Sequence, residues 1–132
     1  MKAILDTSVL ISEPRLPPGL ATAISVFSLS ELHFGVLVAG NDEKRRERLE
    51  RLGSIEARYS RPLPLDSRVA RVLGQLEAAL AQRGGNPRAR LADLAIAATA
   101  IAHGAILITA NAKDLKLVRD LVTVRELATP SN

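Results

Sequence analysis

The short apolar runs of this chain are apolar along nearly their whole length, whereas a sheet with one wet face would alternate apolar with polar residues. KAILD (2–6), TAISVF (22–27), AILIT (105–109) and LVTV (121–124) are the clearest, and RPLPL (61–65) suits a short strand at a sheet edge, where proline is tolerated. Strands buried on both faces need helices above and below, and the intervening segments supply them. TSVLIS starts one helix, which EPRLPPG (13–19) breaks with three prolines and a glycine. SLSELHFGVLVAG (28–40) predicts a helix with Ser28 as N-cap and Gly40 at its end. NDEKRRERLERLGSIEARY (41–59) predicts a charged helix, and DSRVARVLGQLEAALAQRGG a third, capped by Asp66 and stopped at Gly84 and Gly85. A very apolar helix over about 90–103 precedes the run at 105–109, and NAKDLKLVRD makes a last short helix. Strands alternating with helices in this way predict an α/β fold with a mainly parallel sheet covered on both faces. One domain over residues 1–127 and a loose tail over 128–132 account for the chain's 132 residues.

Composition narrows the function classes. No apolar run is long enough to span a bilayer, and the N-terminal MKAILDTSVLI carries Asp6 inside its apolar stretch, so it does not read as a signal peptide. Cytoplasmic residence is the expectation. The chain has no cysteine, which removes disulfides, thiolate metal sites and thiol nucleophiles. Its net charge of +4, from 18 basic and 14 acidic residues, hints only lightly at a polyanionic partner. Aromatics are 2% of the chain, too few for a broad platform on which bases could stack. A nucleic acid would therefore be held mainly through backbone charge and metal.

The helix LADLAIAATAIAHG (91–104) raises a sharper question, because it places one carboxylate, Asp93, among small apolar residues. A buried carboxylate is costly unless something pairs with it. Asp6 closes the first strand, Glu31 follows Phe27 by four residues, and Asp114 follows Thr109 by five. In an open parallel sheet, sites form beyond the carboxyl ends of the strands, so these three and Asp93 can converge at one edge. Two unit charges about 4 Å apart repel by about 4 kcal/mol at an effective dielectric near 20. Four carboxylates together therefore need protons or a cation. An oxygen-only ligand set suits Mg²⁺ or Mn²⁺ better than zinc.

Each carboxylate also has a plain structural reading. Ser28 to Glu31 fits a capping box, Asn111 to Asp114 has similar spacing, Asp6 can cap the helix from Thr7, and Asp93 is favoured by a helix dipole. No single residue decides between the readings.

The set, in its order, resembles the PIN-domain ribonucleases, and in particular the VapC-type toxins of bacterial toxin–antitoxin pairs. ILDTSVLI, SLSELHFGVL, DLAIAATAIAHGAILIT and TANAKDL carry the resemblance across nearly the whole chain. It implies a three-layer α/β/α sandwich and a Mg²⁺- or Mn²⁺-dependent endoribonuclease. Asp6 and Asp93 would be the primary metal ligands, with Glu31 and Asp114 completing or orienting the site. Thr7, Thr109 and Asn111 match polar positions beside it. The implied reaction is attack of a metal-activated water on an RNA phosphodiester, leaving 5′-phosphate and 3′-hydroxyl ends. A cognate antitoxin, commonly inserting a basic side chain among the carboxylates, and a toxin homodimer would be the partners. Leu115 replaces the Phe of many relatives, and the proline-rich segment between Ser12 and Thr22 is short for the helical region usual there. A catalytically silent α/β interaction or signalling module is the alternative.

Other features read more plainly. Glu47–Arg51 and Glu43–Arg46 spacings suggest a self-paired, solvated face on the charged helix. Arg88 and Arg90, just before Asp93, are placed to hold an RNA phosphate. His33 and His103 suit packing or helix-terminal roles, and Gly84-Gly85-Asn86 is a helix stop rather than a phosphate loop.

Overall fold

The computed structural model describes residues 1–128; residues 129–132, most of the segment read as a tail, lie outside the described residues. Four parallel strands, β1 (Lys2–Leu5), β2 (Ala21–Ala23), β3 (Ile106–Thr109) and β4 (Val124–Glu126), lie in the order β2-β1-β3-β4. The helices are α1 (Thr7–Ser12), α2 (Val26–Leu37), α3 (Asp42–Arg58), α4 (Ser67–Gln82) and α5 (Leu91–Ala102). Two 3-10 segments, Arg88–Arg90 and Ala112–Val118, precede α5 and follow β3.

The strands alternate their side chains between two cores, which makes three layers. Ala3, Leu5 and Ile108 pack with Leu10, Leu32 and Ile55 of α1, α2 and α3. Ile4 and Leu107 point the other way, onto Leu73 and Leu76 of α4 and the buried face of α5. Residues Leu94 to Ala100 of α5 are all nearly inaccessible, which explains their small size: Ala side chains let this helix lie against both the sheet and α4. Leu115 is buried in the same core, as expected of a position held by packing.

The chain leaves β1 toward β2 on one side and reaches β3 and β4 on the other, so the strand order reverses between β1 and β3. That crevice is where an open parallel sheet places a ligand. No helix among the described residues is long and apolar enough to cross a membrane.

Several boundaries differ from the sequence expectations. The apolar run 22–27 is a strand only to Ala23, because Ser25 caps α2 by accepting from Phe27 N at 3.1 Å, which makes Val26 and Phe27 helical. Ser28 is therefore not the N-cap; it is fully buried. Residues 61–65 form one parallel bridge, Ser25 to Leu63, since Pro62 and Pro64 remove the flanking donors. The last strand starts at Val124 rather than 121, because a turn bond from Leu121 N to Val118 O occupies the preceding residues. The apolar helix starts at Leu91, after the 3-10 turn, and the segment following Ser12 holds no helix before β2. Asp66 does cap α4, accepting from Val69 N at 2.9 Å, and Gly84 ends it in the left-handed region at φ 86.

The charged helix α3 is helical as its sequence predicts, but neither Glu47–Arg51 nor Glu43–Arg46 pairs. Its arginines reach α2 instead: Arg48 donates to Gly35 O at 2.7 Å and Arg45 to Ala39 O at 3.2 Å, with Asp42 as Arg45's ion partner. Carbonyls near a helix C-terminus lack intrahelical donors, so they attract guanidinium groups that would otherwise bond only along their own helix. His33 pairs with Glu56 at 2.6 Å, and His103 follows the end of α5.

Candidate active site

Asp6 follows β1 directly, and its backbone N–H still donates to Ile108 O of β3 at 2.9 Å. That bond fixes the start of α1 at the reversal of strand order. Asp6 Oδ1 caps α1 by accepting from Thr7 N at 2.8 Å. Its Oδ2 accepts from two hydroxyls, Ser8 Oγ at 2.8 Å and Thr109 Oγ1 at 2.7 Å. Thr109 is 1% exposed, so this carboxylate is anchored to the end of β3 by a side chain with no freedom of its own. Ser8 Oγ also accepts from Ala110 N at 3.0 Å, and Thr109 Oγ1 from Asn111 N at 3.0 Å. The ends of β1 and β3 are thus laced together around one carboxylate oxygen.

Glu31 sits one and a half turns into α2. It takes no part in a capping box, because α2 begins earlier than Ser28; the Thr7 hydroxyl donates to its Oε1 at 2.6 Å, with the buried Ser28 Oγ 3.0 Å from the same hydroxyl. Asp114 lies in the 3-10 segment after β3, and Asn111 Nδ2 donates to its Oδ2 at 2.5 Å. Asp93 occupies the first turn of α5. Its proton affinity is raised to about pKa 6, first by burial and then by the charges of Asp6, Asp114 and Glu31, with Arg90 acting in the opposite direction. The four carboxylates therefore share one electrostatic neighbourhood although they come from four separate segments.

Arg90 is the cation within it: its Nη1 stands 3.3 Å from Asp114 Oδ1 and 3.7 Å from Asp93 Oδ2. The Arg88 side chain has no polar partner among the described residues and is exposed. Thr7, Thr109 and Asn111 each hold a site carboxylate or the backbone beside it, as their positions in the sequence suggest. The sequence does not mark Ser8 as a residue of this cluster, and it marks Ser28 only as a helix cap. A hint for Ser8 is its place two residues past a capping aspartate, in DTS; nothing local ties Ser28 to the cluster once α2 is assigned the wrong first turn.

Among the described residues no three His, Asp or Glu groups close into a ready-made cage for an ion. Mg²⁺ binds through one or two carboxylates, keeps several waters and takes the rest of its ligands from substrate phosphate. The donors here are oxygen-only, the chain has no cysteine, and neither histidine bonds to any of the four carboxylates. The residues therefore fit a hard divalent cation.

Residues 3–121 match the PIN domain. The chain belongs to the PIN-domain family. It is 37% identical over 114 residues to ribonuclease VapC5 of Mycobacterium tuberculosis, covering 80% of each chain. It is 34% identical to ribonuclease VapC4 of the same organism, covering 82% of this chain and 85% of that one. A crystal structure of a member of the VapBC family of toxin–antitoxin systems, VapBC-5 from M. tuberculosis, superposes with a TM-score of 0.81 at 33% identity, covering 97% of this chain and 98% of that one. The parallel four-stranded sheet with helices on both faces is the PIN fold expected from the sequence.

Proposed function

We propose that this PIN domain is a divalent-metal-dependent endoribonuclease acting as the toxin of a toxin–antitoxin pair in the cytoplasm. The observation that carries the reading is the grouping of four carboxylates from separate segments, Asp6 and Glu31 joined through Thr7 and Asp93 and Asp114 through Arg90, with burial and the other three raising the pKa of Asp93 to about 6. Arg90 offsets part of that negative charge, and a divalent cation would offset the rest. Ribonuclease relatives of similar length support RNA as the substrate.

Asp6 and Asp93 would hold Mg²⁺ or Mn²⁺, with Glu31 and Asp114 contributing directly or through water. The ion supplies Lewis acidity, lowering the pKa of water and neutralising charge on phosphate oxygens. The chain's own residues do the positioning. Ser8 and Thr109 hold Asp6 Oδ2, Thr7 holds Glu31, and Asn111 holds Asp114. Arg90, and beside it Arg88, offers guanidinium donors to the scissile phosphate when the carboxylates are engaged elsewhere. Attack of water on phosphorus breaks the bond to the 3′ oxygen, giving 5′-phosphate and 3′-hydroxyl ends.

The antitoxin reading rests on the opposite rim of Glu31. A groove of about 500 Å³ opens beside Glu31, with Ile11 and Leu32 on one side and Lys44, Glu47, Arg48 and Arg51 of α3 on the other, and Phe34 and Leu37 of α2 and Val38 just after it stand exposed. Monomeric surfaces seldom cluster apolar side chains in this way without a partner. The VapBC toxin–antitoxin structure that the chain resembles supports an antitoxin as the partner, and a toxin homodimer is our reading of the assembly.

The test is incubation of RNA with antitoxin-free protein in Mg²⁺, in Mn²⁺ and in excess EDTA. Cleavage in either metal, abolished by EDTA and leaving 5′-phosphate ends, is the expected result. Cleavage that persists in EDTA, or leaves 2′,3′-cyclic phosphate ends, would contradict it.

A further inference from the structure

Next to the carboxylates lies a second cavity of about 260 Å³, between the α4–α5 connection and the 3-10 segment after β3. It shares two walls with the site, Arg90 and Asp114, so any strand engaged at the carboxylates passes its mouth. The floor is apolar, made by Leu80 and Leu117, and Ala89 forms one side.

The cavity is braced. Gly85 N donates to Leu80 O at 2.9 Å, and the Arg83 guanidinium donates to Leu117 O and Asp120 Oδ1, each at 2.7 Å. A Cβ at Gly85 would stand 2.6 Å from Leu80 Cδ1 and 2.9 Å from Leu117 Cδ1, so a side chain there would push the floor into the cavity. Absence of a side chain at this one loop position keeps the space open.

Apart from Asp114, its charged side chains are donors. Lys113 and Lys116 stand at the rim, exposed and without a carboxylate partner among the described residues. Asn86 Oδ1 is engaged by Arg88 N at 3.1 Å, which leaves the amide protons of Asn86 to point outward. Asp114, the one carboxylate of the lining, bonds to Asn111 and pairs with Arg90 rather than with either lysine. An occupant must therefore bring hydrogen-bond acceptors and negative charge on a body with one flat apolar face. A nucleotide has that chemistry, and the cavity falls just below the roughly 300 Å³ at which pockets for larger ligands begin.

We infer that this cavity binds one nucleotide of the substrate strand beside the scissile phosphate. Its base lies on Leu80 and Leu117, its edge faces Asn86, and its phosphate is held by Lys113 and Lys116. The inference rests on the ribonuclease reading of the carboxylates. In a chain so poor in aromatics, a small apolar slot would take the place of a stacking platform.

The experiment uses the full chain and a fluorescein-labelled single-stranded RNA of mixed sequence. Binding is followed by anisotropy in EDTA at several salt concentrations, and cut positions are mapped separately in Mn²⁺. Ala89→Phe fills the cavity without changing charge; the pair Lys113→Ala and Lys116→Ala removes rim charge; Arg71→Ala, on α4 outside the cavity, is the charge control. The lysine pair is expected to weaken binding about tenfold near 0.1 M salt and to reduce the slope of log affinity against log salt by about 1, since each phosphate contact on a single strand contributes about 0.7. Ala89→Phe is expected to weaken binding several-fold with the slope unchanged, and to alter the nucleotide preferred beside the cut. Wild-type affinity and cut positions in Ala89→Phe would overturn the inference. Should that variant fail to fold, a lysine pair indistinguishable from Arg71→Ala would overturn it. RNA bound through the cavity yet never cut would keep the nucleotide site and overturn the ribonuclease reading, whereas RNA cut with an unaltered pattern would do the reverse.

Discussion

Asp6 and Asp66 both precede a helix and both accept a hydrogen bond from its first turn. At Asp66 that bond, from Val69 N, is the only one the side chain makes. At Asp6 it accounts for one oxygen, and the other is held by Ser8 and by the buried Thr109 on a neighbouring strand. A cap needs one oriented oxygen; a further hydroxyl from within α1 and another from β3 are not needed to start the helix. They do fix the direction in which the remaining lone pairs point. The start of α5 makes the contrast stronger, because Asp93 caps nothing and is raised to about pKa 6 by burial and by three like charges. One end of the sheet thus carries a carboxylate, Asp93, placed at a cost to stability, while the start of α4 carries one that stabilises its helix.

The contrast is broken most severely by removing charge where it is costly. Asp93→Asn should reduce RNA cleavage at least about a thousandfold, equivalent to about 4 kcal/mol, with an unchanged circular dichroism spectrum. A variant that cuts as fast as wild type would reduce Asp93 to a helix-start residue. The same substitution should stabilise the metal-free protein. Between pH 3.8 and about 6 the folded chain holds the Asp93 proton more tightly than the unfolded chain does. Its contribution to stability is therefore lost as pH rises through that window and stays lost above it. In EDTA at pH 7.5, Asp93→Asn should be the more stable protein by up to about 3 kcal/mol, with the gap closing as pH falls below 6. Thermal melts across pH 4 to 8 would measure this, and a variant less stable than wild type at pH 7.5 would contradict it.

Smaller effects sharpen the difference between orienting a ligand and capping a helix. Thr109→Val keeps the shape of the residue but removes the hydroxyl that donates to Asp6, and should lower metal affinity or cleavage about 10- to 100-fold. Asp66→Ala should cost about 1 kcal/mol in urea unfolding and leave cleavage per folded molecule unchanged. If Asp66→Ala impaired cleavage as much as Thr109→Val, the two helix starts would not differ in function.

The fold was legible because its signals are redundant: buried strands, the Asp66 cap and the glycine stop at Gly84 all point the same way. The four acidic residues stand out in the sequence as an ordered set, and their role as a site is our proposal. What failed depended on contacts distant in sequence. Glu31 looks like the far half of a capping box until Ser25 takes the cap and Thr7 takes the glutamate. Long arginine side chains on α3 have many rotamers, and the free carbonyls of α2 decide among them. The bond from Arg90 to Asp114 joins residues 24 positions apart, and no local spacing encodes it. Local patterns locate elements and caps, but which oxygen a hydroxyl reaches is settled by tertiary packing.

The most direct test is a calorimetric titration with Mn²⁺ at pH 7.5, without RNA, on wild type, Asp93→Asn and Asp66→Asn. Saturable binding by wild type and Asp66→Asn, with none by Asp93→Asn and with wild-type affinity falling as the pH drops below 6, is the predicted result. Equal binding by all three proteins, or by none, would mean that the carboxylates at the end of the sheet do not gather a metal.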